Sequence, residues 1–135
     1  MKKAITIFGS TGNLMYKKLI PALNSLLKKG HLEENTVVYC MARKDCTLED
    51  YIEDAKSQVK EKIDWDLLVP HLKYIKIDIN NVEDYVVLNN KMNEDLITES
   101  MFYLAVPPTL FPIIAKGISE SGLIKKALTL MVSVC

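Results

Sequence analysis

Long apolar runs and an excess of charge of one sign are both missing from this chain of 135 residues. No stretch approaches the ~18 apolar residues of a membrane-spanning helix, and the apolar run near the start ends after about six residues, short of a signal-peptide core. Its 17 basic residues balance 17 acidic ones, so charge recruits neither nucleic acid nor an anionic membrane. We therefore expect a cytoplasmic protein with no nucleic-acid or membrane partner.

Cysteine and histidine are too few and too scattered to build a reactive centre. Cys40, Cys46 and Cys135 lack zinc-site spacing, so we expect reduced thiols and no metal. His31 follows a helix-stopping glycine and His71 follows a proline, positions typical of surface residues rather than of a general base. Because the chain also offers no Ser/His/Asp set and no close carboxylate pair, we expect no catalytic residue.

Short apolar runs alternate with longer amphipathic segments along the whole chain. Nearly continuous apolar runs are typical of strands buried on both faces, and this alternation predicts an α/β fold: one domain, residues 1–135, with a three-layer, doubly wound, mainly parallel sheet. The predicted strands are Ala4–Phe8, Val37–Ala42, Tyr74–Ile77, Met101–Val106 and Leu128–Val134. The predicted helices are Asn13–Lys29, divided or kinked by Pro21, then Thr47–Lys62, Trp65–Leu72, Val82–Met92 and Thr109–Ser119.

The first predicted strand runs into a turn, GSTG, and then directly into a helix. Gly9 permits a positive φ, Gly12 lets a ligand approach the backbone, and Ser10 and Thr11 offer hydroxyl donors. Free N–H groups at a helix start attract phosphate. Two glycines at this spacing can also form a tight turn with no ligand. In addition, Met15 occupies the position of the motif's third glycine, where a small residue would let the helix and strand pack closely.

If the ligand is a dinucleotide, the end of the second strand selects its type. An acidic residue there would bind a ribose 2′-hydroxyl, and a basic one a 2′-phosphate. The chain has Arg43 and Lys44 at this place, and a guanidinium fork suits phosphate. This position predicts NADP rather than NAD, although an exposed Arg–Lys pair is often only a solvated loop.

Several motifs together resemble the N-terminal coenzyme domain of glucose-6-phosphate dehydrogenase. The family pattern, G-A-[ST]-G-D-L-A followed by basic residues and K-[LI]-x-P-[AST]-L, is similar to GSTGNLMYKKLIPAL here. HLEEN, ARK and YLAVPP follow in the family's order. The resemblance implies a Rossmann-like, NADP-binding domain of an oxidoreductase of glucose metabolism. The family oxidises glucose 6-phosphate to 6-phosphogluconolactone in the pentose phosphate pathway.

The resemblance also implies coenzyme contacts at individual positions. The stretch from Gly9 to Tyr16 would form the coenzyme turn, Lys18 would lie near the phosphates, and Arg43 would hold the 2′-phosphate. A wall beside the nicotinamide would come from residues 105–108, with Phe111 where the family often has a coenzyme-contacting Tyr. The cofactor-binding residues expected in this way are Gly9, Ser10, Thr11, Gly12, Asn13, Leu14, Lys18, Arg43, Lys44, Ala105, Val106, Pro107, Pro108 and Phe111.

Two substitutions and one missing region separate this chain from the family pattern. Asn13 stands for the family's Asp and Met15 for its small Ala. The E-K-P-F-G and R-I-D-H-Y-L-G-K segments, which carry substrate contacts and the general base, are absent. We therefore expect a truncated dehydrogenase that is inactive alone and meets glucose 6-phosphate only if a second domain is supplied.

Two other functions remain as alternatives to coenzyme binding. In the first, Asn13 and Met15 close the turn, and the apolar edge at Leu128–Val134 makes a non-enzymatic protein self-associate into a homo-oligomer. The second is a short-chain reductase, which would need a Tyr-x-x-x-Lys pair. Tyr16, Tyr51 and Tyr85 all lack a Lys four residues later, which argues against this class.

Overall fold

A computed structural model describes the backbone of residues 2–132 and the side chains of residues 2–127. Five parallel strands form one sheet in the order β3-β2-β1-β4-β5. The strands are β1 Lys2–Phe8, β2 Val37–Ala42, β3 Leu72–Lys76, β4 Ile97–Leu104 and β5 Ala127–Val132. The helices are α1 Ile20–Lys28, α2 Leu48–Gln58, α3 Trp65–Leu68, α4 Val82–Glu94 and α5 Phe111–Glu120. The predicted parallel α/β fold is confirmed.

Each face of the sheet carries its own apolar core, which gives the predicted three layers. Neighbouring residues of β1 point to opposite faces. Phe8 packs with Tyr85 and Ile114 of α4 and α5, whereas Ile7 packs on the other face with residues of α1 and α2 such as Ile20. Burial on both sides explains why the strands read as continuous apolar runs.

The first helix is divided just before Pro21, as the sequence predicted. Helical backbone starts at Asn13, widens into a π-helical turn at Met15–Leu19 and becomes regular only in α1. A proline cannot donate to the carbonyl four residues back and its ring crowds that carbonyl. The wider turn, in which the N–H of Ile20 bonds the carbonyl of Met15, relieves this conflict. Gly30, with φ of 71°, ends the helix.

Side-chain caps begin three of the later helices. The Thr47 hydroxyl accepts from the Asp50 N–H at 3.1 Å and so caps α2. Asp64 caps α3 through the Leu67 N–H, and Asn81 caps α4 through the Glu83 N–H. Each acceptor satisfies a backbone donor that the first turn of a helix leaves free.

Several predicted boundaries were wrong for identifiable reasons. The second helix ends at Gln58 rather than Lys62, because Val59 is extended and packs against the core. The third turns into a 3₁₀ segment at Val69–His71, which contains a proline. Strand β3 starts two residues earlier and ends one earlier than predicted. Strand β4 starts at Ile97 rather than Met101, because Ile97 pairs with β1 and is buried despite the polar residues after it.

Further boundaries differ at the carboxyl-terminal side of the chain, where β4 ends at Leu104 rather than Val106 and β5 starts at Ala127 rather than Leu128. A 3₁₀ turn at Pro108–Leu110 precedes α5, and α4 runs two residues longer than predicted. Strand β5 is the last strand in the sheet order, so within residues 2–132 it forms an edge. The rest of the predicted strand, Ser133 and Val134, lies outside the described residues.

Candidate functional site

A cleft of about 280 Å³ opens where the carboxyl ends of four strands meet. It lies at the point where the strand order reverses between β1 and β4, the usual ligand crevice of open α/β sheets. The lining includes the turn after β1, the end of β2, the segment after β3 and the segment after β4. The lining residues are Phe8, Gly9, Thr11, Gly12, Met41, Ala42, Arg43, Ile77, Ile79, Ala105, Val106, Pro107 and Leu110.

Gly9 is required by both its backbone and its surroundings. Its φ is 87°, and a Cβ atom there would overlap the Ala105 carbonyl oxygen and approach Val106 Cγ1 to 2.8 Å. The glycine therefore lets the turn after β1 lie directly against the end of β4. Gly12 is different, because a Cβ there would meet only the Gly9 carbonyl oxygen, at 3.4 Å.

The helix that follows the glycine turn begins directly after Gly12, which lines the cleft. The N–H of Tyr16 bonds the Gly12 carbonyl at 3.4 Å, so Gly12 is the first acceptor of the helix. The N–H groups of residues 13–15 then have no intrahelical partner, as at any helix start. Together with the helix dipole, they make this end of the cleft suited to an anion.

The Ser10 hydroxyl, which the sequence offered as a ligand donor, is bonded within the fold. Ser10 is fully buried, and its hydroxyl donates to the Ile7 carbonyl at 2.9 Å and accepts from the Met41 N–H at 3.0 Å. The Ser10 N–H also bonds the Met41 carbonyl at 3.0 Å. Ser10 therefore fastens the turn to β2, while the exposed Thr11 lines the cleft.

Arg43 and Lys44, the two basic residues after β2, have different surroundings. Arg43 lines the cleft and is the one charged residue among its described lining. Within residues 2–132 no carboxylate pairs with it. The Lys44 ammonium lies 2.6 Å from Asp54 of α2, and this hydrogen bond raises the pKa of Lys44. The positive charge of Lys44 is therefore already paired with a carboxylate, and Lys44 does not line the cleft.

Five other expected contact residues are not part of the lining of the cleft. Asn13, Lys18 and Pro108 are exposed, whereas Leu14 and Phe111 are partly buried and pack against the two cores. Of the fourteen residues expected from the sequence, the described cleft brings together Gly9, Thr11, Gly12, Arg43, Ala105, Val106 and Pro107.

Part of the apolar lining of the cleft was not expected from the sequence: Phe8, Met41, Ala42, Ile77, Ile79 and Leu110. Ile77 and Ile79 follow β3, and Leu110 lies in the 3₁₀ turn before α5. The signal was present, because the carboxyl ends of neighbouring parallel strands share one edge of a sheet. Applying that rule to the third strand would have placed the segment 77–79, which follows it, beside Arg43.

Neither histidine lies at this edge. His31 is exposed in the connection before β2, and His71 precedes β3, where its Nδ1 is 2.8 Å from the Thr36 carbonyl oxygen. Both therefore lie at the amino ends of the strands. Within the described part of the chain, no cluster of three or more His, Cys, Asp or Glu residues could hold a metal ion.

A family model described as "Glucose-6-phosphate dehydrogenase, NAD binding domain" matches residues 6–133. The chain belongs to this family. Its domain is therefore one that binds a nicotinamide dinucleotide, and the Rossmann-like assignment made from the sequence is confirmed.

Curated relatives named glucose-6-phosphate 1-dehydrogenase extend this match. The domain is 28% identical over 133 residues to the protein of Leuconostoc mesenteroides, covering 92% of this chain and 27% of the relative. It is 31% identical over 128 residues to that of Bacillus subtilis, covering 90% and 26%. The chain thus spans about a quarter of the length of these relatives.

Solved structures agree with the sequence matches. The glucose-6-phosphate 1-dehydrogenase of Mycobacterium avium has a TM-score of 0.83 at 27% identity, over 95% of this chain and 29% of that chain. A structure described as glucose-6-phosphate dehydrogenase in complex with its substrate glucose-6-phosphate gives 0.82 at 26% identity, with the same coverage. In the described part of the domain, every helix is too short or too polar to cross a bilayer.

Proposed function

We propose that this domain binds NADP in preference to NAD, with Arg43 as the ligand of the 2′-phosphate. The observation that carries the proposal is the position of Arg43 in the cleft without a carboxylate partner among the described residues. An unpaired guanidinium can form a charge-assisted, two-pronged bond to phosphate. No acidic side chain lines the described cleft to receive a ribose 2′-hydroxyl instead.

The remaining lining residues suit the other parts of the same coenzyme. The N–H groups after Gly12 would receive the pyrophosphate, and the apolar surface of Ile77 and Ile79 would face the adenine ring. The segment from Ala105 to Pro108 would form a stiff wall on the nicotinamide side, because each proline restricts the residue before it. When bound, the nicotinamide ring supplies a hydride acceptor.

We further propose that the domain serves the NADP-dependent oxidation of glucose 6-phosphate, the substrate held by one of the matching solved structures. Its contribution is to bind and orient the coenzyme. Both imidazoles lie at the opposite edge of the sheet from the cleft, so we assign the general base to neither. The free thiols of Cys40 and Cys46 are in keeping with the cytoplasm as its compartment.

The non-enzymatic alternative required Asn13 and Met15 to close the turn. Asn13 is exposed, whereas Met15 is fully buried in the core beneath the helix. Neither side chain lines the cleft. The two departures from the family pattern therefore leave the cleft in front of the turn open.

Calorimetric titration of Arg43→Ala and Lys44→Ala with NADP and NAD tests the coenzyme preference. Arg43→Ala should weaken NADP binding about 10- to 100-fold, as expected for loss of a hydrogen bond to a charged group, and change NAD binding little. Lys44→Ala removes the same charge one residue later. Since Asp54 already pairs with Lys44, NADP affinity should fall less than about threefold.

The comparison of the two coenzymes decides the outcome. Equal loss of NADP and NAD affinity in Arg43→Ala would remove the assigned role of Arg43. A wild-type chain that shows no binding at millimolar NADP would contradict the proposal altogether.

A further inference from the structure

Two tyrosine hydroxyls hold the backbone on the two sides of the proposed coenzyme site. Tyr51 of α2 donates to the Ser10 carbonyl at 2.7 Å, and Tyr74 of β3 donates to the Lys44 carbonyl at 2.6 Å. The two rings are stacked, with centroids 5.1 Å apart. The glycine turn and the loop of Arg43 are therefore joined through one aromatic pair.

The bond from Tyr51 fixes the direction of one peptide in the turn. In a trans peptide the C=O and the following N–H point to opposite sides, and no described peptide is cis. Since the Ser10 carbonyl points to Tyr51, the N–H of Thr11 points away from it, and Thr11 lines the cleft. Tyr51 is almost fully buried, so its ring has little freedom to release the turn.

The bond from Tyr74 acts on the loop that carries Arg43. Before Arg43, the chain is held by the Ile77 N–H, which bonds the Ala42 carbonyl at 2.8 Å. After it, Tyr74 holds the Lys44 carbonyl. Arg43 is thus an exposed side chain on a backbone fixed on both sides.

Both hydroxyls remain donors under ordinary conditions. Burial raises the pKa of Tyr51 and of Tyr74, so both phenols are neutral and protonated at neutral pH. Neither bond is lost by titration in the range where the domain would bind coenzyme.

We propose that Tyr51 and Tyr74 are positioning residues that set the glycine turn and the Arg43 loop at the separation NADP requires. The inference rests on the proposed NADP preference. Tyr51 acts on the part of the site common to both coenzymes, whereas Tyr74 acts on the part that meets only the 2′-phosphate. The two hydroxyls should therefore have different effects on selectivity.

Tyr→Phe variants of the full chain test this division, because they remove one hydroxyl and keep the ring stack. In calorimetry, Tyr74→Phe should raise the Kd for NADP about three- to tenfold and that for NAD less than about twofold. Tyr51→Phe should raise both by about three- to tenfold and speed hydrogen exchange at the Thr11 amide. Tyr39→Phe is the matched control, since that hydroxyl bonds Asp95 at 2.7 Å, away from the cleft. It should leave both Kd values unchanged.

The outcomes separate the inference from the proposed function. A wild-type chain without NADP binding overturns both. If the wild type prefers NADP, an unchanged NADP-to-NAD ratio in Tyr74→Phe overturns the positioning role alone, as does unchanged Thr11 exchange in Tyr51→Phe. Equal weakening in all three variants would show a general loss of stability and would also overturn it.

Discussion

Arg43 and Lys44 carry the same charge at adjacent positions, yet the fold gives them different tasks. Both were expected from the sequence to meet a 2′-phosphate. Asp54, one helical turn after Tyr51, pairs with Lys44 and leaves Arg43 to the cleft. This division depends on where α2 packs, which local sequence does not specify.

Ser10 shows the same limit of sequence reasoning. A hydroxyl in a glycine turn reads equally well as a ligand donor or as a structural bond. Its burial against Met41 of the neighbouring strand decides the matter, and that contact joins residues 31 positions apart. Gly9 itself was predictable, because the turn needs a positive φ at that position.

Gly9→Ala should be clearly more destabilising than Gly30→Ala. Both glycines have positive φ, but a Cβ at Gly30 would meet nothing within 4 Å, whereas one at Gly9 would overlap the Ala105 carbonyl oxygen. We expect about 1 kcal/mol for Gly30→Ala from φ alone, and about 1–3 kcal/mol beyond that for Gly9→Ala from overpacking.

Urea denaturation followed by circular dichroism measures both values. Equal losses in the free energy of unfolding would mean that the turn does not pack against the end of β4 as described.

At the scale of elements, the strands were predictable because both faces of the sheet are covered, which makes four of the five nearly continuous apolar runs. Their ends were less so. The start of β4 is polar at Thr98 and Glu99, and only its pairing with β1 identifies it as strand. The end of the second helix was missed because the core recruits Val59 in an extended conformation.

A hydrogen-bond network around Tyr39 and Asp95 joins elements at the amino ends of the strands, away from the cleft. Asp95, between α4 and β4, accepts from Tyr39 of β2 at 2.7 Å and from Lys73 of β3 at 2.9 Å. Burial alone would raise the pKa of Asp95, but the bonds from Lys73 and Tyr39 outweigh it and hold that pKa below its usual range.

Asp95→Asn should therefore destabilise the domain most at neutral pH. A carboxyl whose pKa is lowered by folding stabilises the folded state above its unfolded pKa, and this contribution is lost as pH falls through the folded value. We expect a loss of about 1–2 kcal/mol at pH 7 that shrinks below about pH 4.

Thermal unfolding at pH 7 and pH 3 measures the effect. Glu94→Gln is the control, because Glu94 is exposed and 3.8 Å from Lys91, so it should change little at either pH. A deficit in Asp95→Asn that is the same at both pH values would contradict the assigned charge interaction.

At the scale of the whole molecule, the sheet order decides where the site lies. The reversal between β1 and β4 brings the glycine turn, Arg43 and the YLAVPP segment to one edge, although they are far apart in the chain. Local sequence patterns predicted the glycine turn, Arg43 and the YLAVPP segment. They did not predict the apolar lining at Ile77 and Ile79, because its place beside Arg43 depends on the order of the strands in the sheet. The network of Asp95 lies at the amino ends of the strands, away from the cleft, so the variants that probe it should leave the cleft intact.

The most direct test of the central claim is a crystal structure of this chain with NADP bound. We expect the pyrophosphate at the helix start after Gly12 and the 2′-phosphate within about 3 Å of the Arg43 guanidinium, the distance of a charge-assisted hydrogen bond. An ordered coenzyme whose 2′-phosphate contacts other residues, or whose pyrophosphate lies away from the glycine turn, would contradict it.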